Sequence, residues 1–382
     1  MKLDNLEKAH NFGYGKIILL GEHFVVHGLP ALVASLNLKT YAEIQDNSPD
    51  NFQKTSYNHL VLIDNRPKSP GFISSKKAEY RCMCENILNF FEIKEKNFTV
   101  TFTGTLPVTC GGIGASAAAA TSFARAINSK FKLNLSDENI NQAAFVGESA
   151  VHGTPSGIDN TAAVFGGVIK FSQNAARRPL GGGSIHVQAR AGLFTPAFSY
   201  SKIQISNPIR IVIIDSGKQT DTKQVVLAVR DFIEKKPDKT KEIFNKYKSI
   251  FNLGIDALER NNLEKLGVCM NKNHSLLQAI GVSCPELDVI VDKALALGAL
   301  GAKLTGTGRG GLVFALTPEI DLQSKIAAFF DDRGYFVIKT QIDATKSDVD
   351  AKSSFRLEIC HPELVPGLPA EAISKRRLGS MD

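Results

Sequence analysis

Three charged residues of this sequence are of the types and in the places that phosphoryl-transfer chemistry could use: Lys16, Glu148 and Asp159. The lysine begins a short apolar run that predicts a buried strand. Glu148 falls on the apolar face of a predicted helix, where a carboxylate needs a cation or hydrogen-bond donors. Asp159 follows in a loop stiffened by two glycines and a proline. Two carboxylates at close range can divide the work of holding Mg²⁺ and accepting a proton.

Each of these residues also has a purely structural interpretation. Lys16 would be a solvated strand end, and Glu148 would pair with a structural lysine or arginine. Asp159 would be an ordinary turn aspartate. The decision between the interpretations depends on the rest of the sequence, because a site for phosphoryl transfer also needs a place for the phosphates.

Residues 98–128 carry the clearest pattern of the chain. Phe98, Val100 and Phe102 alternate with threonines, which predicts a half-buried strand. A glycine cluster follows, and the small residues from Ala115 onward predict a closely packed helix. Strand, glycine loop and helix form a cradle for an anion, because backbone N–H groups and the helix dipole point at it. The predicted phosphate loop comprises Gly111, Gly112, Ile113, Gly114, Ala115 and Ser116.

The alternative is a tight turn into an Ala-rich helix with no ligand. The loop matches neither GxxxxGK[ST] nor GxGxxG, so a lysine for the phosphates must come from elsewhere, and Lys16 is the candidate. A second glycine cluster precedes an apolar strand and favours close approach of the backbone to a ligand. Its members are Gly306, Gly308, Gly310 and Gly311.

Helices and a further strand are predicted around these loops. A helix is predicted at about 81–92, and another from Ser136, as its N-cap, to Gly153. The apolar segment 209–215 predicts a strand, and mostly helical sequence continues from there to about Gly281.

Other segments predict caps and loops. Thr222 is a candidate cap of the helix that follows it, and Ser283 with Glu286 has the form of a capping box. Residues 45–80 and 172–206 are polar or irregular, which predicts surface loops.

The chain has 382 residues, which predicts two domains, at 1–206 and 207–355, followed by a tail at 356–382. With 43% hydrophobic and 22% charged residues, the composition is typical of a soluble globular protein. The 45 Lys and Arg exceed the 38 Asp and Glu by 7. This net positive charge suits an anionic small molecule as ligand and would also suit nucleic acid. No basic run with interleaved aromatic residues supports the second idea.

The cysteines form no zinc or disulfide pattern. They are Cys82, Cys84, Cys110, Cys269, Cys284 and Cys360. No apolar run reaches the ~20 residues that span a bilayer, and no signal peptide precedes the first predicted strand. We therefore expect an intracellular protein of the cytoplasm, or of a peroxisome-type organelle, which binds neither membrane nor nucleic acid.

Four motifs follow one another in a specific order and spacing: GKIILLGEH, PVTCGGIGASAAA, HGTPSGIDN and KLTGTGRGG. Together they resemble the GHMP kinases, named for galactokinase and the homoserine, mevalonate and phosphomevalonate kinases, over most of residues 13–316. The resemblance implies a two-domain α/β (α+β) fold. Its N-terminal domain would be like domain 2 of ribosomal protein S5, its C-terminal domain ferredoxin-like, and the active site would lie between them.

The resemblance also implies roles for single residues. Asp159 would be the catalytic aspartate and Lys16 the catalytic lysine, which keeps that carboxylate ionised. ATP would lie on the phosphate loop, with Ser116 and Glu148 as ligands of Mg²⁺. The residues implied to meet the acceptor substrate, or to lie near it, are Glu22, His23, Thr222 and Gly308.

Two positions depart from the family pattern. The loop usually reads GLGSSA, and Ala115 replaces its first serine, so that Ser116 alone offers a hydroxyl there. Arg309 stands where the last motif usually has glycine. An arginine there puts the backbone conformation in question, although its side chain could reach a phosphate.

The segment HGTPSGIDNT points, within this family, to phosphorylation of the 5-hydroxyl of mevalonate by ATP, a step toward isoprenoids and sterols. Another small alcohol, such as phosphomevalonate or a sugar, is the nearest alternative. A non-catalytic ligand sensor on the same fold and an RNA-binding protein are further ones. The resemblance also implies feedback inhibition by isoprenoid diphosphates, and a homodimer is a further expectation.

Overall fold

A computed structural model of the chain describes residues 10–47, 60–69, 77–94, 97–108, 111–152, 155–173 and 198–344. The predictions for Cys110, Gly153, most of the segment 172–206 and the tail fall outside these residues. Within them, the strands form two separate sheets, one from each half of the chain. Ser206, the predicted domain boundary, lies between the last strand of one sheet and the first strand of the other, and the boundary itself stays a prediction.

The first sheet, as far as the structure describes it, has six strands in the order β3-β4-β2-β5-β6, with β1 pairing β2. The pair β3 and β4 is parallel, and the other pairs are antiparallel. The strands are β1 (Phe12–Leu20), β2 (Ala31–Asp46), β3 (Leu60–Asp64), β4 (Phe98–Gly104), β5 (Val168–Gln173) and β6 (Phe198–Ile203). On β4 the aromatic and valine side chains are buried and the threonines half-buried, which confirms the predicted alternation.

Helices cover this sheet. They are α1 (Lys77–Phe90), α2 (Ala115–Phe131), α3 (Asp137–His152) and α4 (Ile158–Phe165). Four consecutive alanines at the start of α2 are fully buried, because side chains this small let the helix lie close to the sheet. The backbone N–H of Asn139 donates to the Ser136 hydroxyl at 3.3 Å, which confirms the predicted N-cap of α3.

The second sheet contains four described strands in the order β10-β7-β9-β8, and all its pairs are antiparallel. The strands are β7 (Ile209–Asp215), β8 (Gly301–Thr305), β9 (Leu312–Leu316) and β10 (Phe336–Ile342). The helices of this half are α5 (Thr222–Lys235), α6 (Pro237–Glu259), α7 (Leu263–Ala279), α8 (Pro285–Ala296) and α9 (Ile320–Asp331). The strand at 209–215 and the helical region before Gly281 are as predicted.

One hydrophobic core joins the two halves. Leu20 and Leu32 of the first sheet belong to the same buried cluster as Ile213 and Phe314 of the second. Tyr247 of α6 stacks on Phe24 with a centroid distance of 4.2 Å. Apolar burial of this kind is the main stabilising force of a fold, and here it acts across both sheets.

A buried ion pair also crosses from one half to the other. Lys303 of β8 contacts the carboxylate of Glu22, and neither side chain has exposed surface. The ammonium group also donates to the carbonyl oxygens of Leu304 at 2.7 Å and Ile18 at 3.3 Å. Its three N–H donors therefore all have acceptors, which a buried ammonium requires.

Two predicted loop regions contain regular structure. In 45–80, β2 extends to Asp46, β3 occupies 60–64, and α1 begins at Lys77 rather than near residue 81. In 172–206, β6 pairs with β5. The strands β3 and β6 have only five and six residues and are partly exposed, so each gives a weak signal within a polar, irregular segment.

None of the helices in the described segments has the length and the apolar character that crossing a membrane requires.

Replacing Lys303 by Met tests the ion pair. The change leaves the buried carboxylate of Glu22 without its cation, so we expect the free energy of unfolding in urea to fall by roughly 3–5 kcal/mol. The double variant Lys303→Met with Glu22→Leu should recover part of that loss. Lys218→Met breaks the exposed pair of Lys218 with Glu286 and serves as control, with little expected effect. A similar stability for Lys303→Met and Lys218→Met would contradict this account.

Candidate active site

Lys16 and Asp159 form an ion pair at the edge of the first sheet. The Nζ atom of Lys16 lies 3.0 Å from Oδ1 of Asp159 and donates to the carbonyl oxygen of Gly112 at 3.2 Å. The lysine side chain is 3% exposed and the aspartate side chain 30% exposed. The carboxylate is thus held on one side by a buried cation, and part of it is open to an incoming molecule.

Asp159 is predicted from the sequence to lie in a loop, but it lies in a helix instead. It is the second residue of α4, whose N-cap is Gly157 with φ +86°. The hydroxyl of Thr161 donates to the Gly157 carbonyl at 2.6 Å, which fixes the first turn. A carboxylate in the first turn of a helix is favoured by the helix dipole, and the helix gives it a fixed direction.

The predicted phosphate loop packs directly on Lys16. The peptide N–H of Lys16 donates to the carbonyl of Ile113 at 2.9 Å, and a Cβ on Gly114 would lie 2.9 Å from Cγ of Lys16. Gly114 is the N-cap of α2, and it offers no side-chain cap. The first N–H groups of a helix lack intrahelical partners, so this helix end suits an anion.

The two glycine loops touch each other. A Cβ on Gly112 would lie 2.8 Å from the carbonyl oxygen of Thr305, and one on Gly306 would lie 2.6 Å from Cα of Gly112. Both glycines have positive φ, at +86° and +90°. A side chain at either position would push the loops apart. The second glycine cluster is thus explained in part by contact with the first.

Ser116 and Glu148 occupy the places expected from the sequence. Ser116 is the second residue of α2 and is half-buried. Glu148 lies on α3 and is 1% exposed, as the helical spacing predicts. A hydroxyl and a carboxylate are oxygen donors, the type that Mg²⁺ prefers. The donor set therefore fits Mg²⁺, although the role of either residue stays a prediction.

Glu22 and His23 differ in what they contact. Glu22 is buried against Lys303, a residue that the sequence analysis did not single out. Burial raises the pKa of Glu22 and lowers that of Lys303, while their mutual attraction opposes both shifts. A direct contact of Glu22 with the acceptor stays a prediction, and the observed contact is structural.

His23 reaches the second glycine loop. Its Nε2 lies 2.7 Å from the carbonyl oxygen of Thr307, so Nε2 carries the hydrogen. The hydroxyl of Thr307 bonds to that of Thr222 at 2.9 Å. Thr307 thus links two of the predicted substrate-binding residues, His23 and Thr222. A threonine between glycines gives no separate signal in the sequence, so the role of Thr307 could not be predicted.

Gly308 and Arg309 are explained by a neighbouring turn. A Cβ on Gly308 would lie 2.3 Å from the carbonyl oxygen of Val282. The peptide N–H of Arg309 donates to the same oxygen at 2.7 Å, and its Nε donates to the carbonyl of Gly281 at 2.8 Å. Arg309 adopts φ +52°, so the loop keeps a left-handed conformation although glycine is absent.

Two predicted caps are wrong. The N-cap of α5 is Asp221, whose side chain accepts from the N–H of Lys223 at 2.9 Å, and this leaves the Thr222 hydroxyl for Thr307. The N-cap of α8 is Cys284. The Ser283 hydroxyl instead donates to Asp288 at 2.5 Å, and the Glu286 carboxylate pairs with Lys218, so neither makes the backbone contact of a capping box.

Comparison with known proteins identifies the family of this chain. The family model "GHMP kinases N terminal domain" matches residues 79–167, and "GHMP kinases C terminal" matches residues 255–335. The mevalonate kinase of Thermococcus sibiricus is 30% identical over 349 residues, which cover 86% of this chain and 94% of that protein.

Solved structures show the same fold. L. major mevalonate kinase in complex with R-mevalonate is 33% identical with a TM-score of 0.76, covering 88% of this chain and 96% of that one. The Methanococcus jannaschii mevalonate kinase, 22% identical, superposes with a TM-score of 0.66 and covers 88% and 98% of the two chains. The chain therefore belongs to the GHMP kinases, which confirms the family and the mixed α/β fold that the motifs implied.

The buried His23 predicts a pH dependence of stability. Burial lowers its pKa from the ordinary value of 6.5, and the Thr307 carbonyl only partly opposes this. The unfolded chain therefore takes up a proton near pH 6.5 that the folded chain does not. Stability should fall as the pH drops below 6.5, by up to about 1.4 kcal/mol per pH unit for this residue.

His274 has the same sign, because burial lowers its pKa as well. The variant His23→Asn, which tolerates the φ of +60° at this position, should therefore show a shallower slope rather than none. The measurement is urea unfolding between pH 8 and pH 5. An unchanged slope in His23→Asn would contradict a lowered pKa of His23 in the folded state.

Proposed function

We propose that this chain transfers the γ-phosphoryl group of ATP to the 5-hydroxyl of mevalonate. The observation that carries the proposal is the ion pair of Lys16 with Asp159, 3.0 Å long, beside a glycine loop at a helix N-terminus. The similarity to proteins named mevalonate kinase over 86% of the chain, and to a kinase in complex with R-mevalonate, supports the choice of alcohol.

In this proposal the phosphates of ATP lie on residues 111–116. Backbone N–H groups of the loop and of the first turn of α2 donate to them, and the positive end of the helix dipole adds to the attraction. Lys16 is bound to the loop through the Gly112 carbonyl, so its charge is fixed near the transferred group. Fixed charges stabilise a phosphoryl-transfer transition state without reorganisation.

Asp159 accepts the proton of the attacking hydroxyl. The oxygen of that hydroxyl forms a bond to the γ-phosphorus, the bond to the bridging oxygen of ADP breaks, and the proton goes to the Asp159 carboxylate. Lys16 holds Oδ1 of that carboxylate, which fixes its direction. The 30% exposure of Asp159 leaves room for the acceptor alcohol, as proton transfer requires direct contact.

Mg²⁺ would be held by Ser116 and Glu148. When bound, it would neutralise charge on the nucleotide phosphates. His23, Thr222 and Thr307 would line the acceptor side. Glu22, whose side chain is fully buried against Lys303, would contribute there only by fixing the backbone next to His23. Inhibition by isoprenoid diphosphates and assembly as a homodimer remain parts of the proposal without a supporting contact in the described residues.

The variant Asp159→Asn tests the assignment. Asparagine keeps the size of the side chain and an oxygen for Lys16, but it cannot take up the proton. We expect mevalonate-dependent release of ADP to fall by roughly 10²- to 10⁴-fold in kcat, while MgATP still binds. Asp137→Asn, which removes a half-exposed carboxylate paired with Arg125, is the control and should keep its activity.

Near-normal turnover in Asp159→Asn would contradict the role of Asp159. Binding of MgATP without release of ADP in the wild-type chain, with mevalonate or any other alcohol, would favour a ligand sensor instead.

A further inference from the structure

Arg66 is a buried cation in a region where the sequence predicted only surface loops. It follows strand β3 by two residues, and its side chain has no exposed surface. Burial of a guanidinium is unfavourable unless hydrogen bonds replace those it made to water. The role of Arg66 therefore follows from the groups that accept its hydrogen bonds.

Each of the five N–H bonds of this guanidinium has an acceptor. Nε and Nη2 donate to the two carboxylate oxygens of Asp64, at 2.9 and 2.7 Å. Nη2 also donates to the Tyr80 hydroxyl at 3.1 Å. Nη1 donates to the Thr40 hydroxyl at 3.3 Å and to the carbonyl oxygen of Ala115 at 2.9 Å. Arg66 thereby connects β2, the end of β3, α1 and α2.

Asp64 neutralises Arg66 locally. Burial would raise the pKa of Asp64, but the hydrogen bonds and charge of Arg66 outweigh it, and the pKa lies below its ordinary value. A fork-to-fork pair of this kind is geometrically specific. Because the charge is already balanced, the contribution of Arg66 to its surroundings is mainly one of position.

The contact with Ala115 lies at the base of the phosphate loop. Ala115 is the first residue of α2 and directly precedes Ser116. A cation near a helix N-terminus is disfavoured by the helix dipole, but a hydrogen bond from a charged donor to a buried carbonyl is the stronger interaction. The hydrogen bond to the Ala115 carbonyl therefore outweighs the repulsion between the helix dipole and Arg66, and it fixes the position of the first turn of α2.

A second connection leads to Glu148. The Tyr80 hydroxyl accepts a hydrogen bond from Arg66. Burial raises the pKa of Tyr80, and the negative charge of Glu148 adds to that increase. Arg66 thus contacts the helix that carries Ser116, and it donates to a tyrosine on which the charge of Glu148 also acts. Ser116 and Glu148 are the two residues expected to hold Mg²⁺.

We infer that Arg66 is a positioning residue for the nucleotide phosphates, which fixes the first turn of α2 through the Ala115 carbonyl. The inference rests on the proposed function only in that the loop binds a nucleotide. It requires neither mevalonate as acceptor nor Asp159 as base.

Arg125 provides a matched control on the same helix. It is also nearly buried, pairs with a carboxylate at 2.7 Å, and donates to the carbonyl oxygens of Phe12 at 2.8 Å and Val164 at 3.0 Å. It lies ten residues after Ala115, about 15 Å along the helix. Its loss should destabilise the fold without affecting the phosphate loop.

The experiment measures the dissociation constant of MgADP by calorimetry for the wild-type chain, Arg66→Met and Arg125→Met, with the melting temperature of each. Met keeps the apolar stem, and Asp64, 31% exposed, can still be hydrated. We expect Arg66→Met to bind MgADP about tenfold more weakly than Arg125→Met, equivalent to about 1.4 kcal/mol. Arg66→Lys should give an intermediate loss, since a lysine has three donors and no planar fork.

Equal MgADP affinity in Arg66→Met and Arg125→Met would overturn the inference, whatever their melting temperatures. If Arg66→Met does not fold, Arg66→Lys decides, and wild-type affinity in that variant would overturn it. Absence of MgADP binding by the wild-type chain would overturn it as well. If the wild-type chain binds MgADP but does not phosphorylate mevalonate, the proposed function fails. The difference in MgADP affinity between Arg66→Met and Arg125→Met still tests the inference in that case.

Discussion

The ammonium group of Lys16 determines the geometry of the whole site. It is almost completely buried, and it contacts Asp159 on one side and the carbonyl of Gly112 on the other. A buried cation must keep its acceptors, so strand β1, the glycine loop and helix α4 have fixed positions relative to one another. The carboxylate that would take a proton and the loop that would hold phosphates are therefore positioned by the same atom.

The second constraint is the close contact between the halves of the chain. Gly112 and Gly306 lie so near each other that neither position has room for a Cβ. The buried pair of Glu22 and Lys303 and the shared hydrophobic core act across the same boundary. The site is built where the two halves meet, so substitutions that loosen this boundary should change stability and nucleotide binding together.

Much of the fold follows from local sequence patterns. The alternation in β4, the apolar strand β9, the inward position of Glu148 and the N-cap Ser136 all depend on neighbours within a few residues. The glycine loop before α2 is likewise a local feature. These elements could be predicted because the chain itself carries the relevant periodicity or spacing.

The unpredicted features depend on residues distant in the sequence or on competition between neighbours. Glu22 and Lys303 are 281 positions apart, and nothing near Arg66 indicates that four elements surround it. Helix α4 has eight residues, too few for a helical period to appear. Asp221 replaces Thr222 as a cap because the two are adjacent and a carboxylate also accepts the backbone N–H. Such outcomes are decided by tertiary contacts rather than by local preference.

Transfer of phosphate from ATP to mevalonate is the central claim, and ³¹P NMR of the reaction tests it most directly. Wild-type protein with MgATP would be given mevalonate, phosphomevalonate, galactose or homoserine in separate samples. The account predicts equimolar ADP and a new phosphomonoester, coupled to the C5 methylene protons, with mevalonate only. A phosphorylated product from one of the other three compounds, and none from mevalonate, would contradict it.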